Sequence, residues 1–153
     1  ETALTDYNQA IQIVPEFGNA FYNRGIAHRN LAAYDQAIAD FKQAQELGIT
    51  SATVYHNLGL TYSDKGEYSV AIQDFTRALE MDQELTNAYF GRGNAHANLQ
   101  QWESAVSDFS RTIDRRSNFA EAYRARGTAR LEIGDHDGSL ADLERYRSLI
   151  QET

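Results

Sequence analysis

The chain has 153 residues, no cysteine and a formal charge of −8. It is long enough for a sizeable core, and the missing cysteines exclude a disulfide framework, a thiolate nucleophile and a cysteine metal site. The negative charge argues against general attraction to nucleic acid or anionic lipid, and no apolar run approaches the length of a membrane span.

Gly25, Gly59, Gly93 and Gly127 stand at equal intervals, and a fixed period of this size signals stacked helical pairs. Four residues before each glycine is an aromatic: Phe21, Tyr55, Tyr89 or Tyr123. Twelve after it stands Ala37, Ala71, Ala105 or Ser139, and sixteen after it Phe41, Phe75, Phe109 or Leu143. Small residues at fixed places let two helices approach closely, and large ones fill the space between layers. The first copy predicts a helix with Phe21, Gly25 and His28 on one face, then a break at 31–33. A second helix follows, carrying Tyr34, Ala37, Ile38, Phe41 and Ala44 in steps of three and four. The second, third and fourth copies repeat the pair, and Gly66 and Gly134 mark the break in the second and fourth. Glycine suits such a turn because it tolerates left-handed backbone. No segment alternates with period two, so the expectation is an all-α fold without a sheet.

Catalytic and metal-binding patterns are absent. No H-E-x-x-H spacing accompanies His28, His56, His96 and His136, and there is no Walker-type glycine loop or nucleophile elbow. Asp135 and Asp137 flank the last turn and read as turn and cap residues. No turnover, metal or cofactor is expected. A second periodicity places arginine before the signature glycine in three copies (Arg24, Arg92, Arg126), with Leu58 in the other. Aspartate recurs as Asp6, Asp40, Asp74, Asp108 and Asp142. These residues read as ion pairs between helices, either within a copy (Arg24–Asp40) or between copies (Asp6–Arg24). Residues 86–119 are slightly basic through Arg92, Arg111, Arg115 and Arg116, which reads as a solvated helix end ahead of a phosphate site.

With four copies in register, the chain resembles the tetratricopeptide repeat family over essentially its whole length. The resemblance implies a right-handed α-solenoid of helix-turn-helix repeats at 18–51, 52–85, 86–119 and 120–153. Residues 1–17 then match the lone second helix of a truncated repeat through Ala3, Tyr7 and Ala10, with Pro15 at the family's closing proline. Ile49, Gln83, Ser117 and Gln151 replace that proline elsewhere. Arg115 stands where Leu47, Met81 and Leu149 stand, so a more solvated third junction is expected. His28 and His96 take the place of a family tyrosine. The half-repeat at the start and the missing polar cap helix lead us to expect a single solenoid that is part of a longer chain. Either Asp142, Arg145 and Arg147 then make the apolar end formed by Leu140, Leu143, Leu149 and Ile150 soluble enough, or a further segment or packing partner covers it.

The family implies a protein-interaction scaffold binding a protein or extended peptide, with no direct membrane insertion. The alternative is the non-catalytic arm of a larger enzyme or protease adaptor that recruits its substrate. The resemblance places the concave lining on Asn19, Tyr22, Asn23 and Ile26, then His56, Asn57 and Leu60, then Phe90 and Asn94, and finally Arg124. An amide offers both donor and acceptor, which suits an extended peptide backbone. Asn23 and Asn57 fit the family's asparagine ladder, whereas Gly91 and Ala125 break it. The family's carboxylate clamp is unmatched, since the only lysines are Lys42 and Lys65. The expectation is a peptide across the first three repeats, with pockets or stacking faces at Tyr22, His56 and Phe90 and close approach at Gly91.

Overall fold

The computed structural model describes residues 2–151, which form nine helices and no strand. They are α1 (Thr2–Ile13), α2 (Gly18–Asn30), α3 (Tyr34–Glu46), α4 (Ala52–Asp64), α5 (Tyr68–Met81), α6 (Thr86–Asn98), α7 (Trp102–Arg115), α8 (Ala120–Glu132) and α9 (His136–Gln151). Positions 1, 152 and 153 of the expected repeats lie outside the described residues. Two compact bodies result, Glu1–Met81 and Asp82–Thr153. In the N-terminal body α2 pairs with α3 and α4 with α5, while α1 packs on α2 and α3 on α4. In the C-terminal body α6 pairs with α7 and α8 with α9, and α7 packs on α8.

All four hairpin turns share one conformation. Ala32 (φ 56°), Gly66 (φ 86°), Gln100 (φ 58°) and Gly134 (φ 80°) stand at the same place in successive repeats and are left-handed. In each turn the next residue donates its N–H to a carbonyl five residues earlier. The pairs are Ala33 to His28, Glu67 to Tyr62, Gln101 to His96 and Asp135 to Arg130, at 2.8–2.9 Å. These bonds satisfy a carbonyl that the ending helix leaves without a partner. Two of the four turns therefore hold a side chain in a conformation that favours glycine.

The repeated glycines sit where the helices of a pair touch. A Cβ on Gly25 would lie 2.8 Å from Phe41, on Gly59 2.8 Å from Phe75, and on Gly93 2.7 Å from Phe109. Those three phenylalanines are fully buried, and each contributes roughly 1.5–3 kcal/mol of apolar burial. The fourth pair is looser. Leu143 replaces the ring, is 40% exposed, and leaves 3.2 Å at Gly127. At the third junction Arg115 corrects the expectation of greater solvation. It is half-buried, lies over the Tyr89 ring at 4.8 Å and pairs with Glu84 at 3.3 Å, whereas Met81 is exposed. Its long aliphatic stem packs where the other copies place a hydrophobe.

Candidate functional site

The first helix of each hairpin presents the residues singled out above. On α2, Asn19 and Asn23 are exposed while Tyr22 and Ile26 are half-buried. On α4, His56, Asn57 and Leu60 are half-buried. Two side-chain bridges tie α2 to α4 along this strip. Asn57 Nδ2 donates to the Tyr22 hydroxyl at 2.8 Å, and Arg29 Nε donates to Asp64 Oδ2 at 2.8 Å. Burial pushes the Tyr22 phenol above its ordinary pKa, and the Asn57 bond offsets part of that shift. The phenol therefore stays protonated near neutral pH. The structure brings Asn57 to Tyr22 and leaves Asn23 apart, so the two amides differ. Asn57 spends its donor inside the protein, whereas Asn23 is open to solvent.

Tyr22, His56 and Phe90 repeat one contact. Their rings lean on Phe41, Phe75 and Phe109 at 5.7–5.8 Å, tilted by 52–56°. Each ring thus has one side committed to its own hairpin. Phe90 goes further. It also meets Phe119 at 4.7 Å and packs against the Ala105–Phe109–Ala129 cluster, so it is no free stacking face. Gly91 is itself buried. Asn94 is half-buried, and its carbonyl accepts from Asn98 Nδ2 at 2.9 Å. Arg124 is exposed.

The arginine–aspartate periodicity resolves within hairpins. Bidentate pairs join Arg24 to Asp40 (2.9 and 2.6 Å), Arg92 to Asp108 (both 2.8 Å) and Arg126 to Asp142 (2.8 and 2.7 Å). The neighbouring second helix supplies a neutral acceptor to the same guanidinium. Asn8 receives Arg24 Nη1 at 2.7 Å, and Ser110 receives Arg126 Nη1 at 3.0 Å. His28 and His96 approach these aspartates at 3.6 and 3.9 Å, and Arg130 takes their place in the last hairpin at 2.9 Å. The histidines thus belong to helix pairing. Asp135 caps α9 by accepting the Gly138 N–H at 3.0 Å.

The second hairpin departs from this scheme. Leu58 stands in place of the arginine, so Asp74 lacks the guanidinium that its counterparts bind. Burial pushes the Asp74 carboxyl up to about 6, against the pull of Lys42. Lys42 lies one repeat after Asn8 and two repeats before Ser110. The cation has therefore moved from the first helix to the neighbouring second helix. Sequence reasoning noted Leu58 and missed Lys42, although its register was the signal.

The sequence matches two models of the tetratricopeptide repeat, one over residues 16–84 and one over residues 56–114 and 90–151. Among solved structures the chain is similar to MamA, with a TM-score of 0.91 at 21% identity over 97% of this chain and 87% of that one. MamA from Desulfovibrio magneticus RS-1 gives 0.92 at 17% identity, covering 98% and 85%. YrrB, described as a TPR protein with an unusual peptide-binding site, gives 0.83 at 21% identity, covering 95% and 75%. No curated protein matches the sequence. At these identities the likeness is one of fold.

Proposed function

We propose, since the chain belongs to the tetratricopeptide-repeat family, that this interaction scaffold holds an extended partner segment along the first helices of its hairpins. The observation that carries the reading is the strip on α2 and α4. Exposed amides at Asn19 and Asn23 border half-buried Ile26 and Leu60, and the Tyr22–Asn57 bridge holds the strip in shape. Asn57 donates to Tyr22, so its Oδ1 is left to accept a backbone N–H. Asn23 supplies both donor and acceptor. His56 adds a half-buried ring on α4. In the C-terminal body Asn94 and Arg124 offer polar groups on the equivalent helices, and Phe90 supports that face from the core side.

The test uses a peptide selected from a displayed random library against the intact chain. Asn23→Ala should weaken that peptide about tenfold while leaving the melting temperature within a degree or so, because an exposed amide adds little to folding. Unchanged affinity would remove the strip from consideration. A second contact surface rests on Leu143, which is 40% exposed where Phe41, Phe75 and Phe109 are at most 1% exposed. With Leu140 and Ile150 it offers an apolar face to a packing partner. Leu143→Ser should leave library-peptide affinity unchanged and abolish any association through α9, read by sedimentation.

A further inference from the structure

Arg116 is held in an unusual way. Its N–H donates to the Thr112 carbonyl at 2.9 Å, and its own carbonyl accepts the Phe119 N–H at 3.1 Å. This closed turn carries the Phe119 ring to the guanidinium, 3.8 Å from centroid to Cζ. Nη2 donates to Asn87 Oδ1, at the start of α6, at 3.1 Å. The same Phe119 ring meets Phe90, so the cation stands at the edge of the strip formed by α6. Seven arginines (24, 29, 77, 92, 115, 126 and 130) each have a carboxylate within 4.0 Å. Arg116 has none among the described residues. An aromatic face and a neutral amide orient it, and it remains exposed.

The turn does not demand this residue. Asp82 stands one repeat earlier at the same place and serves its turn by accepting the Glu84 N–H at 2.9 Å.

We infer that Arg116 is the receptor for a carboxylate side chain of the partner segment, an inference that rests on the first helices being the docking face. A planar cation already stacked and hydrogen-bonded loses little freedom on binding. Its Nε and Nη1 have no protein partner among the described residues, and Asn87 takes only one of the two Nη2 hydrogens, so one edge of the guanidinium keeps two parallel N–H donors for a carboxylate. A dianionic phosphate fits less well. Arg115, next in sequence, is committed to Glu84 and Tyr89, and residues 82–153 carry twelve acids against nine bases. Arg124, exposed on the next first helix, favours an acidic ligand at the same end.

The experiment follows the Arg116 Nε–Hε signal of the 15N-labelled chain. The probes are a blocked six-residue peptide with one glutamate, its glutamine twin, and inorganic phosphate. The glutamate peptide should shift that signal and bind about fivefold tighter than its twin. Arg116→Gln should erase the preference with the fold intact, and Arg116→Lys should keep only part of it. Equal affinity for the twins, a preference that survives Arg116→Gln, no shift with the glutamate peptide, or tighter binding of phosphate would each overturn the inference. Asn23-dependent binding of the library peptide would persist in those cases if the docking face is right, so the two readings fail separately.

Discussion

Asp74 shows how one substitution in a repeat turns a bound carboxylate into a titrating one. Folding raises its pKa from 3.8 to about 6 through burial, with Lys42 opposing. The folded chain therefore holds a proton more readily than the unfolded chain between those values. Stability owed to this group is greatest below about pH 4 and is lost as pH rises through about 6. Asp74→Asn should gain about 1 kcal/mol at pH 7, after discount for partial exposure, and nothing at pH 4. Urea unfolding at the two pH values checks this, and an equal gain at both would exclude burial as the cause. The turn residues make a second case. Ala32→Gly and Gln100→Gly should each stabilise by about 0.5–1 kcal/mol, because an L side chain is disfavoured in left-handed backbone. Gly66→Ala should cost a similar amount, although a Cβ there meets nothing within 4 Å.

A hairpin depends on how closely its two helices approach. Gly59→Leu would drive a side chain into Phe75 and should cost about 1–3 kcal/mol or more. Gly127→Ala faces Leu143 at 3.2 Å, a side chain with room to shift, and should cost about 1 kcal/mol or less. Equal melting temperatures for the two variants would show that the glycine contact does not limit packing. The hairpins were legible because one glycine, one aromatic and one large apolar residue (phenylalanine in three copies, Leu143 in the fourth) recur at fixed spacing. The bridges of the candidate strip were not. Tyr22 to Asn57 and Arg29 to Asp64 are each 35 residues apart, one more than the repeat, and this offset follows from how neighbouring first helices lie side by side. Phe90 looked like an open ring because its own helix leaves it on the outer face. Phe119, from a turn, covers it. Arg116 was hidden for the same reason, since only the backbone of that turn brings cation and ring together.

Across the whole chain, protection should follow the number of neighbours each helix has. Among the described residues α1 packs against α2 alone and α9 against α8 alone, whereas α2, α4 and α8 each pack against three helices. Repeat proteins gain stability from such nearest-neighbour interfaces. Amide exchange read by mass spectrometry should therefore be fastest in α1 and α9 and slowest in α2, α4 and α8, and an α1 as protected as α4 would contradict the scheme.

The bidentate arginine–aspartate pairs have a consequence for how such a chain can grow. Each pair spans sixteen residues and closes inside a single repeat. A duplication of one repeat therefore inherits both charges together and orphans neither. Copying residues 18–51 in tandem would bring along Arg24 with Asp40, and would set a copied Asn23 beside Tyr22 in the register that Asn57 now occupies. Such a lengthened chain should show more helical signal in proportion to its added residues and melt no lower than its parent. A duplication cut between Arg24 and Asp40 would break that inheritance at its ends.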